Sequence, residues 1–173
     1  MKKVLAIILL LSCLFTLYSC GDDENGTDSG MLQYYQYGLG FRLPENFELK
    51  KLQDIDASYS DGNLWFVLNA FDENEMLGTL RLPSADMTVK EYTEYFLIQN
   101  PYTKDYEYDE ERNASTFNYV YDYGTDKREN EYFSYLITRS KENLYVVIVY
   151  CDEKDFEKYS TVFDEIINSI IVL

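Results

Sequence analysis

Leu144-Tyr145-Val146-Val147-Ile148-Val149-Tyr150 limits the possible folds more than any other stretch of the chain. Every position is β-branched, aromatic or aliphatic, the residue types that fit a pleated surface. No polar position interrupts them, so both faces of this strand need cover and the strand belongs inside a sheet. Residues 64–71, Leu-Trp-Phe-Val-Leu-Asn-Ala-Phe, have the same character and the same requirement. A sheet covered on both sides must draw that cover from the rest of the chain.

The clearest source of cover is the C-terminal region. Phe156, Tyr159, Phe163, Ile166, Ile167 and Ile170 recur at helical spacing, with Glu157, Lys158, Asp164 and Glu165 turned away. This pattern predicts an amphipathic helix over residues 153–169. The apolar end, Ile170-Ile171-Val172-Leu173, is placed to add a short strand. A second helix is predicted to start at Thr88-Val89-Lys90-Glu91, a capping box in which hydroxyl and carboxylate satisfy free amides. It runs to about residue 99 and stops before Pro101.

Strands are predicted over 32–37, around Phe41 and Leu43, and over 55–59, 117–123 and 132–139. Pro44 ends the second of them. Asp61-Gly62-Asn63 joins two strands as a hairpin turn. Further turns fall at 124–126 and 140–143. Hairpin-length connections and the order strands, helix, strands, helix give an α+β class. The expected architecture is a mostly antiparallel sheet of about six strands packed against two helices, in one domain over residues 31–173.

Several of these residues also resemble a known family. Phe41, Leu43, Pro44 and Phe47 open the domain, and Trp65 sits on a hairpin arm. Thr88, Glu91 and Tyr92 start a helix, and Phe156, Tyr159, Phe163, Ile166 and Ser169 close the chain. This arrangement resembles the Mog1/PsbP-like fold, a sheet sandwiched by helices that also occurs in small bacterial lipoproteins. The matching positions are packing positions. The resemblance therefore implies a fold and a tendency to bind or assist protein assemblies, and it carries no catalytic residue across. NTF2-like and cystatin-like folds are the alternatives.

Ahead of the domain, Met1-Lys2-Lys3 and the apolar run from Val4 have the form of a secretory signal. About 15 apolar-dominated residues are too few for a membrane-spanning helix. Leu17-Tyr18-Ser19-Cys20 resembles the lipobox of bacterial lipoproteins, with Tyr18 bulkier than usual. The resemblance implies cleavage after residue 19 and a lipid on Cys20. It also implies a chain held at the cell membrane or the outer membrane, facing away from the cytoplasm. Residues 20–30 are Gly, Ser, Thr, Asn and acids apart from Cys20, too polar to fold, and are expected to form a flexible acidic tether. An acidic surface-export signal is the other reading of that segment.

Charge and composition remove several function classes. The chain has 15 Lys+Arg, 31 Asp+Glu and a formal net charge of −16. Nucleic acid and anionic membrane surfaces call for a cationic face, so neither is an expected partner. There is no histidine. That excludes Ser-His-Asp and Cys-His catalysis and most catalytic zinc sites. Beyond Cys20 only Cys151 remains in the mature chain, so no disulfide framework is expected. Cys151, followed by Asp152 and Glu153, is expected to be a small buried residue rather than a reactive thiol.

The remaining candidates are weak interaction sites. Asp105, Tyr106, Glu107, Tyr108 and Asp109 alternate acid and tyrosine, in an exposed edge strand or loop. With Glu110 and Glu111, the acids suit Ca2+ ligation or a carboxylate pair for glycoside hydrolysis. Equally, charge on an edge strand discourages aggregation. Tyr34, Tyr35, Tyr37, Tyr106, Tyr108, Tyr119, Tyr121 and Tyr123 form either a surface patch for sugar or protein contacts or ordinary half-buried sheet positions. No cofactor, metal or catalytic residue is assigned. The function expected is a lipid-anchored, non-catalytic binding or assembly module with a protein partner. The alternatives are a His-free carboxylate hydrolase or a tyrosine-based surface adhesin.

Overall fold

The computed structural model describes residues 30–100, 105–124 and 128–173. The signal-like opening, the motif ending at Cys20, most of the acidic tether and most of the turn at 124–126 lie outside the described residues. The first half of the domain contains β1 (Met31–Gln36), β2 (Leu39–Pro44), β3 (Glu48–Lys50), β4 (Ala57–Ser60), β5 (Trp65–Phe71), α1 (Glu73–Gly78) and α2 (Val89–Gln99). The second half contains β6 (Glu107–Asp109), β7 (Ala114–Tyr121), β8 (Glu131–Arg139), β9 (Leu144–Asp152), α3 (Phe156–Ser169) and β10 (Ile171–Val172).

Seven strands form one sheet in the order β3-β4-β5-β9-β8-β7-β6, and every neighbouring pair is antiparallel. The uninterrupted apolar strand, β9, takes the central place, with β5 beside it. β1, β2 and β10 make a separate three-stranded sheet. Helix α3 and this small sheet cover one face of the large sheet, through a core that includes Phe41, Phe66, Leu136, Val147, Phe163 and Ile166. α1 and α2 cover part of the opposite face, where Met76, Val89, Tyr92, Tyr135, Ile137 and Val146 pack together. The class is α+β with a mostly antiparallel sheet.

Local chemistry explains the turns. Asp61 Oδ1 accepts from the amides of Asn63 and Leu64, and Gly62 takes φ 101° there. At the β8–β9 turn, Ser140 Oγ accepts from the amides of Glu142 and Asn143. The β1–β2 turn puts Tyr37 at φ 53° and Gly38 at φ 85°, both in the left-handed region. A side chain at Gly38 would also come within 2.5 Å of the Tyr145 hydroxyl. The predicted capping box forms as read: Glu91 N donates to Thr88 Oγ1, and Glu91 Oε2 accepts from Thr88 N. The Thr88 amide and hydroxyl, both donating to Glu91 Oε2, hold the Glu91 carboxyl below its ordinary value.

Three expectations need correction. About six strands and two helices were anticipated; the described residues hold ten strands and three α-helices. Of the strands beyond six, β6 and β10 are the exposed edge strand and short C-terminal strand that were expected, whereas β3 spans only three residues and is too short to show a period. α1 was not anticipated, although Asp72-Glu73-Asn74-Glu75 is itself a capping box, closed by bonds of 2.9 and 3.0 Å. Only Met76 of α1 is buried, so no apolar stripe announces it. The final α-helix starts at Phe156, after a 3-10 turn over Glu153–Asp155.

Candidate functional site: a polar groove beside the last helix

The acidic, tyrosine-bearing stretch forms the exposed edge strand β6, and pairing with β7 divides its side chains between two faces. Glu107 lies opposite Thr116 and Asp109 opposite Ala114, on the face that carries α3. Tyr106 and Tyr108 have the other parity. The Tyr106 hydroxyl donates to Glu94 on α2 at 2.9 Å, and that bond, with burial, raises its pKa. The Tyr108 hydroxyl donates to Asn113 at 3.0 Å. Asp105 is exposed at the entrance to the strand. Of these five residues, Glu107, Tyr108 and Asp109 line the groove beside α3, and Tyr106 and Asp105 do not.

Asp109 works as a turn former. Its Oδ1 accepts from the amides of Glu111 and Arg112 at 2.9 and 3.1 Å. Asn113 completes the reversal at φ 46°, a conformation that asparagine tolerates. The turn aims Arg112 at the end of α3, where one guanidinium nitrogen donates to the carbonyls of Ile167 and Ile170 at 2.8 and 3.1 Å. A cation at a helix C-terminus also offsets the helix dipole. Arg112→Met should cost about 1–3 kcal/mol in urea unfolding, because charge-assisted bonds to the carbonyls at the helix end are lost. A cost below about 0.5 kcal/mol would mean that the clasp is incidental.

Between this clasp and α3 runs an open groove of about 550 Å³. That falls within the 300–1,000 Å³ range of small-ligand sites. Its floor is a polar row on strands β7 and β8: Thr116, Asn118 and Ser134, with Asn118 directly opposite Ser134. Tyr132 lies beside them, stacked on Phe156 with ring centroids 3.7 Å apart. α3 contributes Asp164 and Asn168 to the rim, and Glu107 faces them from β6. Ser134 is only 8% exposed, and its hydroxyl has no hydrogen-bond partner among the described residues. It lines the groove.

The sequence reading missed Ser134, Asn118, Thr116, Arg112 and Asp164. One signal was present: Ser134 is a lone hydroxyl between Phe133 and Tyr135 in an otherwise apolar strand. Among the described residues, no group of three or more His, Cys, Asp or Glu side chains is placed to hold a metal ion. Cys151 is 1% exposed, and burial, with Asp155 and Asp152 nearby, pushes its thiol up to about 11.

The tyrosines do not form a single patch. Tyr34 packs on Phe41, while Tyr35 and Tyr37 stand exposed on the first hairpin. Tyr119 ends a ladder of rings, Trp65, Tyr150, Phe133 and Tyr119, running across four strands at centroid spacings of 6.0, 5.2 and 5.2 Å. The planes differ by only 11°, 21° and 19°, so neighbouring rings overlap and cover part of each other's faces. Tyr121 meets Tyr123 edge-on, and Tyr123 carries Arg128 over its ring and donates to Glu131. These are the half-buried sheet positions that alternation allows.

An antiparallel sheet with helices on both faces is a fold of the Mog1/PsbP type. The chain is similar in fold to cyanobacterial PsbP (CyanoP) from Synechocystis, with TM-score 0.54 and 13% identity, over 90% of this chain and 98% of that one. It is also similar to the Ran-binding protein Mog1p of Saccharomyces cerevisiae, with TM-score 0.52 and 10% identity, over 82% of this chain and 95% of that one. A protein from Bacteroides thetaiotaomicron matches at TM-score 0.51 and 9% identity, over 79% of this chain and 45% of that one. No protein-family model matches the sequence, and no curated protein matches it. At these identities the likeness establishes the fold.

Proposed function

We propose that the chain is a lipid-anchored binding or assembly module, held by Cys20 at the cell membrane or outer membrane and facing away from the cytoplasm. The observation that carries the binding part is the open groove with its unpartnered polar floor, set on a rigid sheet. The fold supports a protein as the partner, since Mog1p, which shares it, is a Ran-binding protein. The rim carboxylates Glu107 and Asp164 are exposed. A carboxylic acid that donates a proton at neutral pH needs an apolar enclosure instead, which favours binding over catalysis. A net charge of −16 favours a cationic protein surface over nucleic acid.

Anchorage rests on the lipobox-like motif, and two or more acyl chains hold a protein stably where one does not. Cys20→Ser should abolish incorporation of a clickable fatty acid and release the protein from washed membranes. Labelling that persists in the variant would remove the anchor. For the binding role, the wild-type protein, cross-linked in intact cells and recovered from solubilised membranes, should retain one partner in stoichiometric amount. Recovery of the protein alone counts against an assembly role.

A further inference from the structure

We infer that the groove beside α3 receives a lysine or arginine side chain from a basic segment of the partner protein. The inference rests on the binding-module reading and makes its chemistry specific. Three carboxylates, Glu107, Asp109 and Asp164, line the groove against a single cation, Arg112. That cation is engaged by the α3 carbonyls, and Asp109 Oδ1 is engaged by its own turn. Glu107 and Asp164 both line the groove as acceptors without a hydrogen-bond donor among the described residues.

The floor adds an independent observation. Ser134 is buried, 8% exposed, and its hydroxyl has no partner among the described residues. Its oxygen opens onto the groove rather than into the core, and is available there to a donor that enters. Asn118 and Thr116, beside it, also have no side-chain partner among the described residues. Carboxylates only accept hydrogen bonds, whereas ammonium and guanidinium groups only donate. A donor-rich head therefore meets two carboxylates and a row of oxygens. The methylene stem of the same side chain fits against the Tyr132–Phe156 ring pair, because such stems bury along apolar surface. At about 550 Å³ the groove admits such a side chain with part of its backbone.

The test uses full-length protein in detergent and capped hexapeptides of alternating Gly-Lys, Gly-Arg or Gly-Glu, titrated calorimetrically. The Lys or Arg peptide should bind, and the Glu peptide should not. Glu107→Gln with Asp164→Asn should weaken binding ~10-fold or more, and Ser134→Ala ~3-fold or more, since charge-assisted bonds and buried hydroxyls are at stake. Glu142→Gln, an exposed carboxylate on the β8–β9 turn, should change binding less than ~2-fold. An equal loss from Glu142→Gln would reduce the effect to diffuse attraction by an acidic protein and overturn the site. A neutral maltohexaose probe that binds with the same dependence on Ser134 and Asp164 would replace the cation by a polyol and also overturn it. Peptide binding that ignores every groove variant moves the contact elsewhere and leaves the binding-module reading standing. Protein that captures its partner in cells while refusing every basic peptide sinks the groove assignment alone.

Discussion

Phe41→Ala should lower the free energy of unfolding by about 3–5 kcal/mol. Phe41 is completely buried in β2, in the small sheet. Its ring stacks on Phe66 of the large sheet at 4.7 Å and meets Tyr34 and Tyr59 at 5.6 and 6.3 Å. It therefore joins the two sheets, and truncation removes transfer energy and leaves a cavity between layers that cannot close without moving a strand. A domain of this size has about 5–15 kcal/mol in total, so the variant stands near the threshold of folding. Phe41→Leu keeps most of the volume and should cost less than about 2 kcal/mol. Urea unfolding followed by circular dichroism and by tryptophan fluorescence gives both values. Trp65 reports from the large sheet, so a transition that shifts in circular dichroism but not in fluorescence would show that the two sheets unfold independently.

The reason Phe41 could be singled out from its sequence also explains what else was legible there. Phe41 and Leu43 alternate with polar neighbours before a proline, and alternation is the signature of a strand with one buried face. Residues 144–150 and 64–71 lack alternation, and they occupy the two interior places β9 and β5. The Thr88 box and the stripe from Phe156 to Ile167 were equally explicit, because caps and helical spacing are local. What was not legible is non-local. The separation of β1, β2 and β10 into their own sheet depends on which strand edges meet, and β10 pairs with β2 across most of the chain. Even Ser169, read only as a packing position, turns out to accept the Arg42 amide at 2.8 Å, on a strand edge that β10 does not reach.

The groove illustrates the same limit. Sequence proximity suggested that residues 105–109 act together, but only Glu107, Tyr108 and Asp109 reach the groove, while Tyr106 turns to Glu94 on α2. Glu107 is joined instead by Asn118, Ser134 and Asp164, which come from three other elements. Each is unremarkable in its own segment. Only the register Asn118↔Ser134 and the seating of α3 over β8 and β9 make them one surface. The tyrosines show the converse. Their parity on β7 was readable, but their meaning was set by the rings of β8 and β9 alongside.

The opposite face of the sheet supports the second large prediction, a steep loss of stability in alkali. Burial raises the phenol of Tyr92 from 10.0 to about 12. Tyr135 is raised further still by burial, by its hydrogen bond with Tyr119, and by the neighbouring Tyr119 and Tyr92. Tyr92 belongs to α2 and Tyr135 to β8, and both pack in the same apolar cluster. A folded-state pKa above the unfolded one means that the folded chain keeps protons the unfolded chain has lost. The stability held this way is complete below about pH 10 and falls away as pH rises through the folded value. For Tyr92 alone the displacement corresponds to about 2–3 kcal/mol between about pH 10 and pH 12. The urea midpoint should therefore drop steeply across that interval while changing little between about pH 7 and pH 9. General charge repulsion in an acidic protein also grows with pH, so the variant Tyr92→Phe separates the causes. The Tyr92 hydroxyl has no hydrogen-bond partner among the described residues, so its removal should leave stability near neutrality within about 0.5 kcal/mol of wild type. Above about pH 10 the same variant should lose stability less steeply than wild type, because it has one buried phenol fewer to ionise, Tyr135 remaining. A variant as alkali-sensitive as the wild type would place the sensitivity elsewhere than Tyr92.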